Sequence, residues 1–160
     1  MKTTVRAIGL VAICVVVVLS ITGLEPRQRT PGLWLKGNVV NTPVTDWSFT
    51  DHVDTIEVQT RTWYRIPHSV TTYCVAMNGK LYIDSFYPPG SEYPHGRSWH
   101  ENVARDPHVR LKIAGNLYDV TLVHDTDPAV KAAVIDLKRK KYPQLRIPPP
   151  ERVQLFQVVS

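Results

Sequence analysis

The sequence predicts a mainly β domain with two flanking helices. Its six strands form an antiparallel sheet that closes into a small barrel, and one N-terminal hydrophobic segment precedes it. Three observations carry this reading. Short alternating or β-branched runs recur through residues 55–159, two pairs of them are joined by turn signals, and residues 7–24 hold no charge. The 160 residues suffice for one domain plus a targeting segment, not for two full domains.

The uncharged run is 18 residues long, with Lys2 and Arg6 before it and Glu25, Arg27 and Arg29 after it. About 18–20 apolar residues cross a bilayer as a helix, so the run just reaches. Residues 1–24 therefore read as a transmembrane anchor. A cleaved signal peptide is the alternative, although its core is usually about 7–15 residues and Ser20-Ile21-Thr22-Gly23 is not a clean small-residue cleavage site. A buried core helix is disfavoured, because the run is apolar on all faces. The expected product is a single-pass membrane protein. Its very short N-tail favours an extracytoplasmic domain, while the nearly balanced positive flanks leave the orientation open.

The net charge is +5, and the residues after Leu24 carry +3 because Lys2 and Arg6 are the only charges before it. Much of that excess lies in Lys138-Arg139-Lys140-Lys141, which suits a helix C-terminus or a solvated face. No broad basic surface or recognisable module argues for nucleic acid. Cys14 and Cys74 lie far apart, one of them in the apolar run, so there is no disulfide framework. The six histidines include His95 and His100, which flank one helix start and could approach each other, but none falls in a metal-ligand spacing. No metal site, Gly-rich phosphate loop, Ser-His-Asp set or carboxylate pair stands out.

The elements follow in order. Residues 25–51 read as linker and lead-in, with Pro26, Pro31, Gly32, Gly37 and Pro43, pinned to the domain by Trp34, Trp47 and Phe49. The domain proper is 52–160. Residues 55–60 alternate as a half-buried strand does. Residues 69–77 form a second strand, Asn78-Gly79 a tight hairpin turn and 80–85 the return strand. The loop 86–96 is rich in proline and glycine. A helix over 97–105 has Ser98 as cap and Glu101 three residues on, a capping box. Residues 109–113 and 117–123 form a second hairpin about Ala114-Gly115-Asn116. Asp127 caps a helix that has Pro128 at its first position and an apolar stripe of Val130, Val134 and Leu137. Tyr142-Pro143 stops it, and 153–159 is the last strand.

This order resembles the flavin-binding split barrel superfamily, the fold of pyridoxamine-phosphate oxidases and deazaflavin-dependent nitroreductases. The resemblance rests on Trp99, Asn102, Asp106, Pro107 and Val109, followed by a strand and a Gly turn, and on Lys141-Tyr142-Pro143. It implies a six-stranded antiparallel split β-barrel that binds FMN or deazaflavin. By position it implies that Arg97 and Ser98, with the backbone N–H groups of the helix start, hold the phosphate. His68, Ser69 and Thr71 would face the flavin ring, Trp99 would stack on it or wall the pocket, and Asp84 and Ser85 would meet the ribityl chain. Helix N-termini and arginine are both suited to phosphate. Blander readings stand beside these: Arg97 pairing with Glu92 or Glu101, Ser98 as cap only, Trp99 as core, and His68 and Ser69 as a plain strand start.

One departure matters. Related oxidases carry a basic residue within the second strand and a basic pair near the loop, whereas residues 69–77 hold no basic residue and Arg97 is alone. The expectation is a membrane-anchored flavoprotein, an oxidoreductase passing hydride or electrons between the cofactor and a small organic substrate. The resemblance also implies a homodimer. Haem, bound by some split barrels through histidine, is the lesser cofactor. The alternative function is a non-catalytic accessory subunit of a membrane complex that uses the barrel as scaffold.

Overall fold

The computed structural model describes residues 8, 9, 11, 13–18 and 24–160. Most of the expected anchor, 1–24, lies outside the described residues. Of its described residues, 8, 9, 11 and 13–18 are helical and exposed, and no helix among the described residues is long and apolar enough to cross a membrane.

Among the described residues eight strands form one sheet: β1 (Asn38–Val40), β2 (Ile56–Arg61), β3 (Pro67–Thr72), β4 (Cys74–Met77), β5 (Lys80–Phe86), β6 (His108–Ile113), β7 (Asn116–Asp125) and β8 (Val153–Val159). The helices α1 (Ser98–Arg105) and α2 (Pro128–Lys141) flank it. The hydrogen-bonded path runs β3-β2-β6-β7-β8-β5-β4, antiparallel throughout, and β1 adds to β7 in parallel.

Two expectations are corrected here. The sheet has eight strands rather than six, and it is not closed by hydrogen bonds. The lead-in supplies β1. The expected strand 69–77 is two strands, β3 and β4, divided at Tyr73. These two pieces are the opposite ends of the sheet path, so one short stretch of chain leaves one edge and joins the other. Alternation in sequence cannot reveal such a division, because both pieces keep a β pattern.

Period-two burial explains the strands. Ile56, Val58 and Thr60 of β2 and Val109, Leu111 and Ile113 of β6 point inward to a core completed by Trp47, Trp99 and Phe156. A second cluster of Val75, Tyr82, Val134, Tyr142 and Leu155 lies under α2. Both expected hairpin turns form. Asn78 and Gly79 have φ of 52° and 75°, and Ala114 and Gly115 have φ of 49° and 84°. Asn116 belongs to β7 rather than to its turn.

Asp127 caps α2 as expected, accepting from the amides of Ala129 at 2.8 Å and Val130 at 3.4 Å. The capping box on α1 does not form. Arg97 is the N-cap and no side chain caps that end, while the Ser98 hydroxyl turns instead to His68 Nε2, 3.4 Å away.

The basic run at the end of α2 is not a solvated face. Arg139 and Lys140 are exposed, but Lys138 is buried and Lys141 Nζ donates to the carbonyls of Thr50 and Cys74 at 2.7 and 3.1 Å. A helical turn from Val134 leads to Lys138, so half of this run sits on the apolar stripe.

Candidate functional site

A cleft of about 720 Å³ lies between β3, the end of β5 and the start of α1. Seven of the eight expected residues line it: His68, Thr71, Asp84, Ser85, Arg97, Ser98 and Trp99. Ser69 does not. Its side chain points into the protein, and its hydroxyl is buried without a hydrogen-bond partner.

Local structure explains each position. The two ends of the loop before α1 meet where Arg97 Nε donates to the carbonyl of Phe86 at 2.8 Å. Arg97 therefore pairs with neither Glu92 nor Glu101, and it stands at the cleft rim, exposed. Trp99 is 5% exposed, so it is core and cleft wall at once, tilted against Phe156 with centroids 5.3 Å apart. His68 is half-buried and its Nδ1 has no partner, and burial holds its pKa below the usual imidazole value. The uncapped start of α1 borders the same space, and a helix N-terminus presents unsatisfied amide donors there.

The rest of the motif that carried the resemblance does structural work. Asn102 Nδ2 donates to Thr60 Oγ1 at 2.9 Å, and Arg105 donates to Asn102 Oδ1 at 3.0 Å and to the carbonyl of Arg61 at 2.6 Å. Asp106 accepts from the His108 amide at 3.2 Å and turns the chain into β6. These contacts fix α1 against β2, and so aim its N-terminus at the cleft.

Two cationic contributors were not found from sequence. The first is Lys138 of α2, whose Nζ reaches both carboxylate oxygens of Asp84 at 2.6 and 2.5 Å. The side chains of the pair are 2% and 3% exposed. The ammonium also lies 4.5 Å from the Phe86 ring centroid and 5.1 Å from that of Tyr73. Burial pushes the Asp84 carboxyl up, and the adjacent Lys138 ammonium opposes that shift. The second is Arg29. Residues 28–31 of the lead-in overhang the cleft because Gly32 exchanges backbone hydrogen bonds with Ser69 at 2.8 and 2.9 Å. Around the cleft Arg97 is thus joined by Arg29 and by Lys138, whose charge is matched by Asp84, the lone carboxylate among the described lining residues. The apolar stripe of α2 held the signal for Lys138. No sequence signal placed Arg29.

Other expected contacts do not form. His95 lies 3.6 Å from Glu101 at the surface, whereas His100 is buried with Nδ1 2.6 Å from the Tyr87 hydroxyl. Burial lowers the His100 pKa to about 3, and burial also raises that of Tyr87 to about 12. Among the described residues no group of three or more His, Cys, Asp or Glu could hold a metal ion.

No family model and no curated protein matches this chain. Solved structures do. A Listeria innocua protein provisionally assigned as a pyridoxamine 5'-phosphate oxidase is 15% identical, with a TM-score of 0.53 over 70% of this chain and 87% of that one. An F420 reductase is 14% identical, with a TM-score of 0.51 over 74% of this chain and 94% of its own. A FAD-binding protein from Mesorhizobium loti is 12% identical, with a TM-score of 0.51 over 70% and 85%. At these identities the likeness shows the fold alone, and this chain shares the split-barrel architecture of these three proteins.

Proposed function

We propose that the chain is a membrane-anchored flavoprotein that moves hydride or electrons between FMN or a deazaflavin and a small organic substrate. One observation carries the reading: a single cleft is lined by Arg97, Ser98 and Trp99 at the uncapped N-terminus of α1, by Arg29 of the lead-in and by His68 and Thr71 of β3. Its volume falls within the range of about 300–1,000 Å³ common for cofactor sites.

Arg97 and the α1 amides would hold the phosphate, with Arg29 closing over it from the lead-in. Trp99, His68 and Thr71 would bound the ring, and Asp84 and Ser85 would face the sugar-alcohol chain. The pairing of Asp84 with Lys138 neutralises the one carboxylate that would otherwise repel an anionic ligand. The cofactor, when bound, supplies the redox chemistry. A homodimer with the cofactor near its interface belongs to the same reading, and the mass of the solubilised chain checks it.

The test is the visible spectrum of the full chain, solubilised in detergent and mixed with FMN or deazaflavin before gel filtration. Co-eluting flavin absorbance is expected. A colourless protein with both cofactors would leave the non-catalytic scaffold, the reading favoured by the absence of any basic residue in 69–77.

A further inference from the structure

The β2–β3 connection carries a cluster that the cleft does not use. Trp63 is 77% exposed, Tyr64 54% and Ile66 48%. The two aromatic rings pack edge to face with centroids 5.1 Å apart, so they present one projecting apolar tip. Arg61 and Arg65 flank it, both exposed. Adjacent large apolar groups this open are unusual on a protein facing water alone.

The lead-in says what lies beside that tip. The uncharged run ends at Leu24, and the folded domain begins there without a spacer. The Leu24 carbonyl accepts from the Leu33 amide at 2.6 Å, and Gly32, next to Leu33, is bonded to Ser69. A side chain on Gly32 would collide with the Leu24 carbonyl at 2.4 Å, so the lead-in is pressed tightly together. Ser69 is three residues along β3 from Ile66, roughly 10 Å at the rise of a strand. The tip thus stands on the edge of the sheet that the lead-in joins to Leu24, where the uncharged run ends.

We infer that Trp63, Tyr64 and Ile66 form a second membrane foot, seated in the interfacial layer of an anionic bilayer with Arg61 and Arg65 on its headgroups. This rests on the proposal that residues 1–24 are a retained anchor. The chemistry suits the place. Trp and Tyr concentrate where one end of a side chain is apolar and the other wet, and arginines near an anionic surface add attraction. Arg27, exposed in the lead-in turn, adds charge of the same sign. Two attachments fix how the barrel stands on the membrane, where one anchor alone would leave it free to swivel.

The test uses the full chain reconstituted in vesicles of phosphatidylcholine and phosphatidylglycerol, part of the lipid brominated near the headgroup end of its chains. Trp63 is one of four tryptophans; Trp47 and Trp99 are buried, and the half-buried Trp34 beside Leu33 is replaced by Phe in every protein compared, so that this background serves as wild type. Bromolipid should quench its emission, and Trp63→Phe should abolish most of that quenching. The double variant Arg61→Glu/Arg65→Glu should reduce it in anionic vesicles. Equal quenching in wild type and Trp63→Phe overturns the proposal and turns the tip toward a protein partner or water. Retention of the chain on vesicles at alkaline pH reads the anchor separately. If the chain is retained and Trp63 unquenched, only the second foot fails; if it is released and unquenched, both fail.

Discussion

Asp84 and Lys138 are the residues on which the cleft depends most for its shape. Each is nearly water-free, and each is tolerable only beside the other. Removing one strands a buried charge, which costs about 3–5 kcal/mol, whereas replacing both with apolar residues is often neutral. Lys138→Met and Asp84→Leu should each lower stability by that amount, and the double variant should recover most of it. Urea unfolding of the four proteins measures this, and additive losses would contradict a mutually dependent pair. His100 makes a second residue-scale prediction. Its folded pKa, about 3, lies below the unfolded value near 6.5, so the unfolded chain binds the proton more readily. The stability tied to neutral His100 is complete above about pH 6.5 and falls as the pH drops toward 3. Between pH 7 and pH 5 this group should cost about 2 kcal/mol. Urea midpoints at the two pH values check it, with His100→Gln expected to flatten the difference; identical slopes would show that the imidazole is not the source.

At the scale of elements, what was legible followed local chemistry. Asn78-Gly79, Asp127-Pro128 and the alternation in β2 and β6 each act within a few residues, and each forms where the sequence puts it. What was not legible depended on distant partners. The division at Tyr73 is set by two sheet edges, and the loss of the α1 capping box by the approach of His68 to Ser98. Lys138 looked like a solvated lysine because its carboxylate partner is 54 positions away in sequence. Ala114 marks an element not optimised for its own turn. Its φ of 49° is left-handed, a region that costs a residue with a Cβ about 1 kcal/mol or more, and the side chain is exposed. Ala114→Asn should raise stability by about 0.5–1 kcal/mol, since Asn-Gly is the favoured pair for this two-residue turn. A thermal melt shows it, and an unchanged or lower midpoint would count against strain at Ala114.

For the whole molecule, the order of strands and helices was enough to reach the fold, and the motif about Trp99 and Asn102 proved to hold α1 in place. Seven of eight candidate residues came together because they lie on three segments that the split sheet brings to one place. Ser69 fell outside because its side chain is fully buried, whereas Thr71, two residues on along β3, is only half-buried and lines the cleft. The lead-in, expected to be pinned to the domain by its aromatic residues, also walls the cleft with residues 28–31. The central claim is that this cleft receives a phosphate-bearing flavin. A fluorescence titration of FMN or deazaflavin with the detergent-solubilised chain, beside Arg97→Ala, tests it most directly. The account predicts saturable binding that Arg97→Ala weakens by about 1.5–3 kcal/mol, the scale of a hydrogen bond to a charged group. No saturable binding of either cofactor, or an affinity that the substitution leaves unchanged, would contradict it.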